Sequence, residues 1–235
     1  MEITLTNSNS LKIISGNCTL ITNPSLNDEY NIGLFNDPLS NIQNNNLNVK
    51  TPGEFEIDNF YITSVGYKTS SKNNENEIDN KESNENSPLQ PSLMNFDGET
   101  SDHNEKATVQ TIESNDQYAI YHIIQVEGIK ILALGPQIIP ANQKTKLSSE
   151  NPKVIFTPHG NISTVDNNTF SKLISDIDYR VLVISDLQES YDEAQLYDNS
   201  RISFGIKDKS NLNKLNITQN NIPKEKRIVL LNQTK

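Results

Sequence analysis

The stretch Thr51-Pro52-Gly53-Glu54-Phe55-Glu56-Ile57, running on through Asp58-Asn59 into Phe60-Tyr61-Ile62-Thr63-Ser64-Val65, decides how this chain is read. Two β-prone segments, Glu54–Ile57 and Phe60–Val65, flank an Asp-Asn pair that can serve as a two-residue turn, so a hairpin is predicted. Toward the N-terminus, Ile3 and Leu5, then Leu11 and Ile13, alternate with polar residues. Cys18, Leu20 and Thr22 continue the alternation after a Ser15-Gly16-Asn17 turn, which predicts a meander with one buried face. Toward the C-terminus, Tyr118–Val126 turns through Glu127-Gly128 into Ile129–Leu134, a second hairpin. Val154–Thr157 and Arg180–Ile184 read as short buried strands, and Ile228–Leu231 closes the chain as another. Between them Phe170, Leu173, Ile174 and Ile177 recur at helical spacing behind Asp166, whose carboxylate suits an N-cap.

Composition narrows the function classes. The chain has 235 residues, a mass of 26.4 kDa and a net charge of −10, enough length for one large domain with a real core. Hydrophobic residues are only 34%, and the deficit is filled by 34 asparagines, a uniform enrichment of the kind AT-rich coding sequence produces. A pI near 4.8 excludes nucleic acid as the default partner, since displacing phosphate counterions needs clustered cations. No window approaches a membrane span, and Met1-Glu2-Ile3-Thr4-Leu5 carries neither the basic nor the apolar region of a secretory leader. The single cysteine, Cys18, excludes an internal disulfide and a multi-cysteine zinc site; it reads as a small buried hydrophobe. A cytoplasmic location is expected. From about residue 68 to 116 the chain becomes rich in Asn, Ser, Glu and Asp with few hydrophobes. Such a segment cannot bury enough apolar area to offset its ordering entropy, so a disordered acidic insertion within a single 1–235 domain is predicted.

Five stretches in order resemble the metallo-β-lactamase fold superfamily, in particular its branch of small Zn-dependent hydrolases related to ascorbate-6-phosphate lactonase. Met1–Thr4 with Leu11–Ile13 is similar to that branch's opening hairpin, and Thr51–Ile57 resembles its G-P-G-E-Y-E-[IV] segment. Tyr121 to Gly135 resembles the strand pair leading into H-L-G-D. Thr157-Pro158-His159-Gly160 with Thr164-Val165-Asp166 is similar to a P-V-G-G…T-[IL]-D-A loop, and Leu215–Leu231 to the usual C-terminal end. The resemblance implies an α+β fold, an αββα four-layer sandwich of two packed mixed sheets with few helices outside. It also implies hydrolysis by zinc-bound hydroxide, which demands imidazole or carboxylate ligands.

Those ligands are missing from the matching positions. Where the family carries H-x-H-x-D-H, this chain has Leu34-Phe35-Asn36-Asp37-Pro38-Leu39-Ser40-Asn41, so Asn36, Pro38, Ser40 and Asn41 stand at the four ligand positions. Proline has no side-chain donor, and neutral amides and hydroxyls are poor zinc ligands. The orienting Asp of the family's D-P step is Asn23 before Pro24, the next histidine falls near Gly66-Tyr67, and the bridging Asp of L-G-D is Pro136. Asp186 replaces the last histidine and is the single carboxylate retained, too little to hold a catalytic metal.

Three histidines remain. His103 lies in the insertion, and His122 alternates within a strand as a satisfied sheet residue would. His159 lies in a loop that borders the family's pocket; with Asp186 and Asp37 it is the candidate set for a remodelled catalytic cleft. No nucleophile elbow, P-loop or dinucleotide fingerprint is present, and the 9 glycines are scattered. The expectation is a catalytically inactive protein without metal or other cofactor, acting as a binding, scaffold or regulatory protein with an unidentified protein partner. The alternative is a metal-dependent hydrolase with a remodelled site, in which zinc would be the cofactor. Self-assembly into homo-oligomers is compatible with the resemblance.

Overall fold

The computed structural model describes residues 1–42, 46–69, 117–137, 139–158, 167–185, 204, 206 and 208–232. Its chain divides into two units, one formed by 1–69 with 117–235 and the other by 70–116. The second unit lies outside the described residues, and with it the predicted disordered insertion. At the edge of the predicted insertion, Lys68 and Thr69 pair with Tyr118 and Gln117 as the end of a strand.

Alternation of apolar residues at the N-terminus yields β1 (Glu2–Asn7), β2 (Ser10–Ser15) and β3 (Cys18–Thr22), the antiparallel meander expected. β4 (Ile32–Leu34) and β5 (Leu47–Val49) then add in parallel, and β13 (Leu215–Asn216) pairs with β1, completing a mixed six-stranded sheet in the order β13-β1-β2-β3-β4-β5.

The second sheet has eight strands, ordered β12-β14-β11-β10-β9-β8-β7-β6. β6 (Gly53–Ile57) and β7 (Phe60–Thr69) are the hairpin of the opening stretch, turned at Asp58-Asn59. β8 (Gln117–Val126) and β9 (Ile129–Ala133) form the second hairpin. Its turn residues Glu127 and Gly128 both have positive φ, 49° and 73°, the handedness that lets a tight turn follow the twist of its strands. β10 (Val154–Thr157), β11 (Val181–Ser185), β14 (Arg227–Leu231) and β12 (Asp208–Leu212) are parallel and lie side by side. Burial on both faces explains why the stretch from Val181 to Ile184 reads as an unbroken apolar run.

Inner-facing side chains of both sheets, including Ile3, Leu20, Leu34, Ile62, Ile124, Phe156 and Val229, form one core between the sheets. The outer face of the eight-stranded sheet forms a second core with α1 (Lys144–Glu150) and α2 (Asn167–Ile174), through Leu147, Phe170, Leu173 and Ile174. The expected α+β sandwich of two packed mixed sheets with few helices is observed. No helix among the described residues covers the outer face of the six-stranded sheet. The predicted helix ends earlier than its spacing implied: Ile177 is buried, but in the turn after α2, donating its N–H to the Ile174 carbonyl. Its predicted cap, Asp166, lies outside the described residues. No helix among the described residues is long and apolar enough to cross a membrane.

Candidate functional site

The ends of the strands β4 and β9, together with the start of β8, converge at one edge of the sandwich, where Leu34 leads into the segment 35–42 and Ala133 into 134–137. Three of the positions that the family resemblance singled out, Asn36, Asn23 and Gly66, come together there on or next to the backbone of Ile120. Asn36 is 2% exposed and bonded on every side. Its backbone carbonyl accepts from the Ile120 N–H at 2.8 Å, and its Nδ2 donates to the Ile120 carbonyl at 2.6 Å. Its backbone N–H donates to Asn23 Oδ1 at 2.9 Å, while its Oδ1 accepts from Asn23 Nδ2 at 2.5 Å. Gly66 lies opposite Ile120 in the β7–β8 register. Gly135, the residue before Pro136, packs so tightly on Asn36 that a Cβ added to it would lie 2.7 Å from the Asn36 Cβ. A side chain there would require Asn36 to shift from its bonded position.

Asn23 is itself fixed in a left-handed backbone conformation, φ 47°, with its N–H on the Leu34 carbonyl at 2.6 Å and its Nδ2 also reaching the Asn9 carbonyl at 3.1 Å. Asparagine tolerates that conformation better than most residues, which explains an Asn before Pro24 at this bend. The two amides therefore join the six-stranded sheet, through Asn23 and Asn36, to the eight-stranded sheet, through Ile120.

The rest of the loop is braced from outside. Asp37 is exposed and folds back on its own turn, its Oδ1 accepting from the Leu39 N–H at 2.9 Å and its carbonyl from the Ser40 N–H at 3.2 Å. Lys50 Nζ donates to the carbonyls of Ser40 at 2.7 Å and Ile42 at 3.2 Å and lies 5.0 Å from the centre of the Phe35 ring. An ammonium thus organises the loop backbone. Pro38 and Ser40 are half-buried, and Asn41 and Pro136 are exposed.

His122 points into the core between the sheets one alternate position below Ile120. It is fully buried, with Nδ1 2.9 Å from the Ser64 hydroxyl. Burial pushes its imidazole down to about 4, against a smaller opposing pull from the Phe35 backbone, which does not complete a hydrogen bond to Nε2. Only one of its ring nitrogens is partnered, so the expected satisfied sheet histidine is half satisfied. Cys18 is buried as expected; burial and the Asp58 carboxylate push its thiol up to about 11.

His159 and Asp186, two of the three residues in the remodelled-cleft reading, lie outside the described residues, as does His103. Only Asp37 of that set is described. Among the described residues no group of three or more His, Cys, Asp or Glu side chains is placed to hold a metal ion. Among the described residues, the side chains at the ligand positions do not suit zinc: Asn36 has both amide atoms occupied by protein partners, and Pro38 and Pro136 offer none. The reciprocal Asn23–Asn36 pairing was missed from sequence. Its signal was two asparagines at consecutive strand exits, one of them before a proline.

Comparison with known proteins defines the architecture. No family model matches the chain, and no curated protein sequence matches it. Among solved structures, the chain is similar to a proposed Zn-dependent hydrolase of the metallo-β-lactamase superfamily from Thermotoga maritima, with a TM-score of 0.59 over 98% of each chain at 14% sequence identity. What is shared at that identity is the path of the backbone. The chain has the metallo-β-lactamase fold.

Proposed function

We propose that this protein is a non-catalytic, metal-free representative of the metallo-β-lactamase fold, retained as a cytoplasmic binding, scaffold or regulatory protein. The observation that carries this reading is the state of Asn36. At the position where the resemblance calls for the first histidine ligand stands a buried amide whose Oδ1 and Nδ2 are both bonded to the protein. A metal at that point would have to displace two hydrogen bonds inside the sandwich and accept a neutral amide as ligand, a poor exchange for an ion that selects imidazole, thiolate or carboxylate. Folding requires the apolar pattern and catalysis requires the ligands, so one can persist without the other.

Elemental analysis of purified, tag-free protein after growth and dialysis with added zinc tests the reading. The expected result is below about 0.1 metal per chain, since a site that keeps a single carboxylate among its ligand positions has no basis for tight binding. One or two tightly held ions per chain would overturn it in favour of a metal-dependent hydrolase, starting from His159, Asp186 and Asp37.

A further inference from the structure

At the end of the sandwich opposite the Asn36 seam, the eight-stranded sheet is electrically divided. Lys130, Lys153 and Arg180 stand at one level on neighbouring strands. The Lys153 N–H donates to the Lys130 carbonyl at 2.9 Å, and the Arg180 N–H to the Lys153 carbonyl at 2.8 Å. Arg180 Nη1 holds the Lys224 carbonyl at 2.5 Å, and Lys226 Nζ sits 4.1 Å from the centre of the Tyr179 ring. Two carboxylates balance part of this row: Glu150 pairs with Lys130 at 3.0 Å, and Asp178 serves both Lys153 and Arg180 at 2.8 and 3.1 Å. The exposed Lys224, followed in the chain by the exposed Glu225, has no ion pair among the described residues.

On the other side of Lys130 in the strand order, the two hairpin turns carry the opposite sign: the β8–β9 turn lies beside Lys130, and the β6–β7 turn lies two strands further on. Glu56, Asp58 and Glu127 line an open cavity of about 190 Å³ together with Asn59 and Tyr61. Glu127 is engaged by the N-terminal ammonium at 2.7 Å. Glu56 and Asp58 are exposed and have no ion pair among the described residues.

We propose that this end is a self-association surface, on which the basic half of one copy faces the acidic half of a second copy across a two-fold axis. A polyanion would match the row from Lys130 to Lys226 and be repelled by the hairpin turns, and a polycation would meet the reverse. A surface bearing both signs in mirrored order matches both halves at once, and an isologous contact with another copy supplies it. The partner's Lys224, a point charge on a flexible four-carbon stem, fits the cavity between Glu56 and Asp58.

Sedimentation of the full chain at about 0.1 M salt, where exposed charges still interact over about 10 Å, tests this. The expected result is a reversible dimer that Lys224→Glu and Glu56→Lys each weaken at least about tenfold, because each sets like charges against each other. Combining the two substitutions restores opposite charges in swapped positions and recovers affinity to within about threefold. Both positions are exposed, and unchanged circular dichroism shows that the variants are folded. A wild-type chain that stays monomeric overturns the proposal. So does a dimer indifferent to either substitution, or a double variant no better than the single ones.

Discussion

The two ends of the sandwich treat polar side chains in opposite ways. At the seam between β4 and β8, Asn36 and His122 lie inside the protein with the half-buried Asn23 beside them, and the amide groups are matched partner for partner. At the turn end, Lys153, Asp178, Arg180 and Glu127 lie at the surface, and cations and carboxylates are matched only in part. The difference is what solvent access dictates. A buried donor or acceptor without a partner costs on the order of 1–3 kcal/mol; Asn36 avoids that cost by bonding both amide atoms, whereas His122 carries it at one ring nitrogen. At the surface, water completes whatever the protein leaves undone. The seam is therefore a structural device, and the turn end is where charge remains available to something else.

Removing the amide clamp should break the contrast most severely. Asn36→Ala removes the side-chain partner of the Ile120 carbonyl and one of the two acceptors of Asn23 Nδ2, while the backbone N–H of residue 36 stays on Asn23 Oδ1, and it opens a void beside Gly135. The expected cost is about 3 kcal/mol, the range for breaking a buried hydrogen-bond network, and it should lower the melting temperature by about 6–12 °C. A chemical-denaturation midpoint indistinguishable from the wild type would mean that the two sheets do not depend on this tie.

His122 sharpens the same contrast through pH. Its folded-state pKa, about 4, lies below the ordinary value of 6.5, so between these limits the unfolded chain binds a proton that the folded chain refuses. The stability associated with the neutral ring is fully present above about pH 6.5 and is lost as the pH falls toward 4, by up to about 3 kcal/mol. Asp178 and Asp176 have carboxyl groups lowered from 3.8 by the neighbouring lysines, so their own losses fall at more acidic pH. Urea unfolding at pH 7 and pH 4.5 should show a marked fall in the wild type and a much smaller one in His122→Leu. Equal falls in both would take His122 out of the account.

The fold was legible because its signals are local or periodic. The alternation from Ile3 to Thr22, the Asp58-Asn59 and Glu127-Gly128 turns and the apolar runs at Val154 and Val181 each dictate their own element. What escaped notice was short or dependent on neighbours. β5, β12 and β13 are held by strands distant in sequence, and α1 buries only Leu147, too little to mark a helical face. At the candidate site, sequence showed which donors were gone but not what had replaced them. That Asn36 bonds Ile120, 84 residues away, is a consequence of two sheets meeting, and no spacing along the chain encodes it. Ser64 and His122 are likewise brought together only by the β7–β8 register.

The smallest effect is expected at the turn end, and its smallness is the point. Glu127 is a doubly bonded surface carboxylate there: Oε2 meets the N-terminal ammonium at 2.7 Å and Oε1 accepts from the Ser15 hydroxyl at 2.6 Å. Those two hydrogen bonds hold its carboxyl below the ordinary value of 4.5. A depressed carboxyl contributes stability above its unfolded pKa and loses it as the pH falls through the folded one, so the contribution is intact at neutral pH and fades in acid. Glu127→Gln keeps the shape, and the amide oxygen can still accept from Ser15, so only the charge on the N-terminal contact is removed. With the carboxylate 37% exposed, solvent screening limits the loss to about 0.5 kcal/mol at neutral pH, falling further as salt is raised. A loss above about 2 kcal/mol in the same denaturation experiment would place Glu127 in the class of Asn36 and break the division between the two ends, since only a group cut off from water loses that much with a single charge.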